Sequence, residues 1–247
     1  MTQPPHILLL GGSYEAQLLA EALTARNAAY TMWVAEAPRG PALLPQVPML
    51  RRFRDVETMR DEISRGGFTA VLDASHAFDH ATITQSFQAS HQLELPYLRV
   101  ERPAWDLSGN PHWRAAASVA EANAMISKGA RVFCATGWDS LPEYAGFRGE
   151  VLMLRQARRH TRAVPYPFVE LIFGDPPFEA PSEEALFVEL GVDLLICRNL
   201  GGEGSRPKLD AAAALGIDVI LIDRPAVPEG LPVVGQTAAA LDWVTAL

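Results

Sequence analysis

The stretch His6 to Arg26, HILLLGGSYEAQLLAEALTAR, constrains this chain more than any other. Five nearly all apolar residues, His6 to Leu10, run into Gly11 and Gly12, and a helix-patterned segment follows at once. This reads as strand, tight turn, helix. Ala16, Leu19 and Leu23, with Ala22 beside them, give one apolar helical face that can lie on a sheet. Glycines let the backbone approach a ligand closely, and the N–H groups and dipole at a helix start favour an anion such as a pyrophosphate. A dinucleotide is therefore the first ligand to test, held by a turn of Gly11, Gly12, Ser13, Glu15 and Ala16. The pattern is Gly-Gly-x-x-x-Ala and not G-x-G-x-x-G, and Glu15 brings a negative charge to the turn. An ordinary strand-to-helix turn of an α/β protein fits the stretch equally well.

The remaining chain repeats the theme. Tyr30 to Ala35 reads as a second strand, and its end would face an adenosine ribose. There Glu36 suits a ribose hydroxyl and Arg39 a 2′-phosphate, while both also suit a solvated loop. Asp55 caps a helix carrying Val56, Met59 and Ile63, and Thr69 to Ala74 is a third strand. It ends in Asp73-Ala-Ser75-His76-Ala-Phe-Asp-His80, and the carboxyl ends of parallel strands are where ligands bind. His76 and His80 share a helical face, but no third ligand is spaced to complete a metal site, so Ser75 and His76 are assigned to cofactor or substrate.

A helix through Ile83 and Phe87 leads to the strand Tyr97 to Val100, then to Glu101 and Arg102. The loop DLSGNPHW is the expected boundary between two domains, 1–107 and 108–247. Ser118 and Glu121 open a helix ending near Lys128. The strand Arg131 to Ala135 then runs into Thr136-Gly137 and a further helix, so the second half restarts the architecture of the first. Val151 to Arg155 is strand-like and is followed by a basic run, Arg155, Arg158, Arg159, His160 and Arg162, which reads first as a solvated face and second as a grip on a polyanion. After the buried strand Val192 to Cys197 comes Arg198-Asn199-Leu200-Gly201-Gly202-Glu-Gly-Ser-Arg206-Pro-Lys208, a glycine-rich turn with three cations that opens a helix. The last helix, near Thr237 to Ala246, follows a long connection and can cross back onto the first domain.

Composition narrows the function classes. The 247 residues carry a net charge of -8, against the basic stripe that nucleic acid calls for, so any anionic ligand must be met locally. No segment approaches the ~18 uninterrupted apolar residues of a membrane span, and the N-terminus has no basic region, so a soluble cytoplasmic protein is expected. Cys134 and Cys197 each fall inside a strand, away from any CxxC, and are expected to be buried and reduced.

Taken in order, ILLLGGSYEA, VLDASHAFD, PYLRVERPAW, FCATG, CRNLGGEGSRPKLDAA and VILIDRP resemble the precorrin-6A reductase family of cobalamin biosynthesis over nearly the whole chain. The resemblance implies an α/β protein of two Rossmann-like domains with mainly parallel sheets and an interdomain cleft. It implies NADPH as cofactor, reduction of one carbon–carbon double bond of precorrin-6A to give precorrin-6B, and no metal. Gly11, Gly12, Ser13, Glu15, Ala16, Arg39, Ser75, His76, Thr136 and Gly137 would then serve the cofactor. Arg102, Arg198, Asn199, Gly201, Gly202, Arg206 and Lys208 would hold the substrate carboxylates, as an acidic protein must gather cations around such a ligand. Where the family has threonine and then proline around the histidine, this chain has Ser75 and Ala77. Where it has lysine and serine flanking the asparagine, this chain has Arg198 and Leu200.

The proton donor is not identified by any residue pattern. A monomer is expected, with neighbouring pathway enzymes as candidate partners. The alternatives are a cobalt-precorrin-6A reductase using NADH and a non-catalytic NADP-binding sensor. A short-chain-type dehydrogenase would need a Tyr-x-x-x-Lys pair, and neither Lys128 nor Lys208 has a tyrosine four residues before it.

Overall fold

In the computed structural model, residues 5–37 and 44–247 are described. The chain divides into two compact units, one of Met1–Arg102 with Pro225–Leu247 and one of Pro103–Arg224. The C-terminal segment thus belongs with the N-terminal unit.

In the first unit the apolar run after His6 forms β1 (His6–Gly11), paired in parallel with β2 (Ala29–Val34) on one side and β4 (Ala70–Asp73) on the other. Beyond β2 lies β3 (Met49–Leu50), and beyond β4 come β5 (Tyr97–Val100) and then β12 (Val233–Val234). All five pairings are parallel. Residue alternation divides β1 between two cores. Ile7 and Leu9 face Leu19, Leu23, Met32 and Val244, whereas Leu8 and Leu10 face Trp33, Met59, Ile63 and Ile83. The first core lies under α1 (Tyr14–Ala25) and α7 (Thr237–Thr245), and the second under α2 (Val56–Arg65) and α3 (His80–Gln92). Helices on both faces explain why β1 is a continuous apolar run and not an alternating one. Asp55 caps α2 by accepting from Thr58 N at 2.9 Å. Residues 232–234 complete the sheet, for Arg99 N donates to Pro232 O and Glu101 N to Val234 O, each at 2.9 Å.

The second unit repeats the plan. Its strands are β6 (Trp113–Ala116), β7 (Arg131–Ala135), β8 (Val151–Gln156), β9 (Val169–Phe173), β10 (Leu194–Arg198) and β11 (Asp218–Ile222). They form one parallel sheet in the order β6-β11-β10-β7-β8-β9. Phe133, Met153, Leu195, Cys197 and Leu221 pack against Phe187 of α5 (Ala180–Leu190) and Leu209 of α6 (Pro207–Leu215). Three details differ from the sequence reading. Trp113, the last residue of the loop DLSGNPHW, instead opens an edge strand that runs to Ala116. The helix opened by Ser118, α4 (Val119–Ala124), stops short of Lys128. The segment after Gly137 is a 3-10 helix, Trp138–Tyr144, with Pro142 inside it, where the missing N–H and fixed φ of proline oppose α-helix continuation.

No helix among the described residues is long and apolar enough to cross a membrane. Cys134 and Cys197 are free and buried, and burial pushes their thiols up to about 12 and about 11 respectively. A thiolate is the reactive form. Ellman's reagent should therefore label neither thiol in the native protein at neutral pH and both after denaturation; rapid native labelling would show that one of the strands opens.

Candidate functional site

The carboxyl ends of β1, β4 and β5 bring most of the N-terminal candidates together. Gly12 has a φ of +151°, and a Cβ there would stand 2.8 Å from the backbone nitrogen of His76. The turn after β1 and the loop after β4 thus touch backbone to backbone, and only glycine fits. Ser13 caps α1, accepting from Ala16 N at 3.2 Å, and its hydroxyl donates to Ala74 O at 2.8 Å. One side chain therefore fixes the helix start to the end of β4. Ala16 is wholly buried in the core beneath α1, where a larger residue would lift the helix off the sheet. His76 Nδ1 accepts from Phe78 N at 3.2 Å, which sets the ring within its own loop.

Glu15, the acid in the first turn of α1, pairs with Arg102 at 2.8 Å, with the two side chains only 14% and 20% exposed. Its charge is thereby compensated at the very turn where an anion would be received. Arg102, assigned from sequence to the substrate, stands within the N-terminal unit on this pair.

Behind these loops lies a buried charge network that the sequence reading passed over. Arg99, in the middle of β5, is fully buried. Its Nη1 donates to Asp73 Oδ2 at 2.7 Å and to Ser75 Oγ at 3.2 Å, and its Nε donates to Glu101 Oε2 at 2.8 Å. Tyr97 OH donates to the same Asp73 oxygen at 2.7 Å, and Ser75 N donates to Asp73 Oδ1 at 2.8 Å. Burial disfavours the Arg99 charge, but Asp73 and Glu101 outweigh it and raise its pKa above the ordinary arginine value. Burial first, and the charge of Asp73 second, push the Tyr97 phenol well above its usual range, so it stays a donor. The network holds Ser75 and, through it, the loop that meets Gly12. The signal was the alternation in PYLRV, which puts Tyr97 and Arg99 on one face of a buried strand.

The second unit gathers the remaining candidates at the ends of β7 and β10. Thr136 is buried, with its hydroxyl 2.8 Å from Ser140 Oγ and 3.3 Å from Tyr144 OH. Gly137 lies beside the Arg198 guanidinium, 3.9 Å from where its Cβ would be. Asn199 is buried and bound at both ends to one residue, accepting from Trp105 N at 2.8 Å and donating to Trp105 O at 3.1 Å. A Cβ on Gly201 would fall 2.0 Å from Pro103 O, and Gly202 O accepts from Trp105 Nε1 at 3.1 Å. The glycine-rich turn is therefore moulded on residues 103–105. Arg206 pairs with Asp210 at 3.0 Å, and the Lys208 ammonium sits 5.8 Å over the Trp105 ring with Ser205 O as acceptor. Arg39 lies outside the described residues. Among the described residues no three His, Cys, Asp or Glu side chains stand together so as to hold a metal ion.

Residues 6–245 match the family model described as Precorrin-6x reductase CbiJ/CobK. The chain is 32% identical over 242 residues to a Precorrin-6A reductase of Mycobacterium tuberculosis, and 30% identical over 243 residues to one of Rhodococcus erythropolis, with 98% of both chains covered in each case. A solved structure described as CobK precorrin-6A reductase superposes with a TM-score of 0.90 at 27% identity, covering 98% of this chain and 97% of its own. This chain belongs to the precorrin-6x reductase family.

Proposed function

We propose that this protein reduces one ring carbon–carbon double bond of precorrin-6A, giving precorrin-6B in cobalamin biosynthesis, with NADPH as hydride donor. The observation that carries the reading is the turn at Gly12, closed backbone to backbone against the Ser75-His76 loop in a chain that matches the family from end to end. Bound NADPH would supply the hydride, and a proton completes the addition across the double bond.

The residues of the turn fit a dinucleotide. Ala16 N is taken by Ser13 Oγ, but the N–H groups before it in the first turn of α1 have no acceptor within their own helix and can turn to a pyrophosphate. Arg102 answers Glu15, which removes the objection that a carboxylate at this turn would repel phosphate. Gly11, Gly12 and Ser13 would hold the pyrophosphate, with Ser75 and His76 setting the opposite wall. At the end of β2, Glu36 lies 3.9 Å from Arg52, both largely exposed, so the acid that would favour a free ribose hydroxyl has a cation beside it. Arg39, three residues further along the chain, is the assigned partner of the 2′-phosphate, since its planar fork suits that group.

The test is to incubate the protein with NADPH and precorrin-6A while following the nicotinamide absorbance and the macrocycle chromophore together. Equal loss of both is expected, with NADH a poorer donor and cobalt-precorrin-6A a poorer acceptor. No consumption of NADPH with both reactants present would end the reading. A faster reaction with NADH would make Glu36 the selector in place of Arg39.

A further inference from the structure

The crossover between the parallel strands β8 and β9, residues 157–168, contains neither helix nor strand. Parallel strands are usually joined through a helix, so a connection of this length without one stands out. Its first part carries Arg158, Arg159, His160 and Arg162, with no acid from 157 to 166. The sequence alone favours a solvated face. Side-chain geometry argues otherwise.

Three aromatic rings fasten this segment. His160 meets Trp138 edge to face at 4.9 Å and Phe173 at 5.6 Å, so the imidazole bridges the 3-10 helix and the end of β9. On the two outer rings sit two guanidinium groups, Arg162 at 5.5 Å from the Trp138 centroid and Arg159 at 5.4 Å from the Phe173 centroid. Neither forms an ion pair with a carboxylate among the described residues. Arg155, by contrast, is spoken for, with Glu183 at 2.7 Å. An exposed arginine ordinarily loses rotamer freedom when it grips an anion, whereas one already resting on an aromatic face has less to lose. Beside Trp138 opens a cavity of about 300 Å³ lined by Trp138, Asp139, Leu141, Pro142, Ala163 and Pro165. Its lining is mainly apolar, and its size is at the low end for ligand pockets, enough for one edge of a large ring and not the whole.

We propose that Arg159 and Arg162, held on Phe173 and Trp138, form a subsite that takes peripheral carboxylates of a polycarboxylate ring while the adjoining cavity receives its apolar edge. The identification of that ring as precorrin-6A rests on the function proposed above. Asp139 at the cavity wall discourages a carboxylate there and so directs the carboxylates to the two arginines.

The test compares wild type with Arg159→Ala/Arg162→Ala and Arg159→Lys/Arg162→Lys. Binding of precorrin-6A without NADPH, of uroporphyrin as a stable polycarboxylate stand-in, and of NADPH would each be measured by fluorescence titration. The alanine pair should weaken both tetrapyrroles at least tenfold, with NADPH affinity unchanged, and the lysine pair should restore part of the loss. Unchanged tetrapyrrole binding, or equal weakening of NADPH, overturns the subsite. Failure of the wild type to reduce precorrin-6A overturns the function instead, and the uroporphyrin titration still decides the subsite.

Discussion

Replacing Arg99 by methionine should lower the unfolding free energy of the N-terminal unit by about 3–5 kcal/mol, the range for removing one partner of a buried ion pair. The loss arises from what is left behind. Glu101 is partly exposed and reaches water, but Asp73 is fully buried and would keep only Tyr97 OH and Ser75 N as donors. Urea unfolding at neutral pH should show the loss directly, because a carboxylate stripped of its buried cation is left uncompensated. A loss below about 1 kcal/mol would mean that water or a neighbouring group takes the place of Arg99.

The same network shows what a sequence yields and what it withholds. The strand, glycine pair and helix at His6 to Arg26 were legible because every signal is local: an apolar run, a turn that needs glycine, and a helical face at three- and four-residue spacing. Most longer strands were legible for the same reason. β3 and β12 were not, since two residues carry no period, and their place in the sheet depends on what they pair with. The Asp73–Arg99 and Glu15–Arg102 pairs span 26 and 87 residues, and neither separation is a spacing that any local rule inspects. Asn199 illustrates the converse case. Its position in a glycine-rich, cationic turn suggested a ligand contact, and its amide also ties the turn to Trp105, 94 positions away, through one accepted and one donated bond. Polar residues at strand ends are easily found, but whether they face a ligand or another loop is decided by the fold.

Gly12→Ala should raise the dissociation constant for NADPH on the order of 100-fold, about 2.7 kcal/mol, because the turn cannot accept a methyl group without moving. The φ of +151° is one that L side chains rarely adopt, and the group that a Cβ would meet, the His76 nitrogen, belongs to the backbone and cannot rotate away. Either the start of α1 or the loop after β4 must shift. Both form the proposed cofactor wall, so the helix-start N–H groups would no longer converge on the pyrophosphate. Some stability will be lost as well, and a control must separate that loss from the loss of binding. Tyr30→Phe serves, for its hydroxyl bonds Ala20 O and Thr24 Oγ1 at the opposite end of α1. Its removal should cost about 1 kcal/mol without touching the turn. Calorimetric titration with NADPH, below the unfolding temperature of both variants, should find near-normal affinity in Tyr30→Phe and a collapse in Gly12→Ala. Equal affinities would place the cofactor away from this turn and leave the Gly12 contact with a purely structural role.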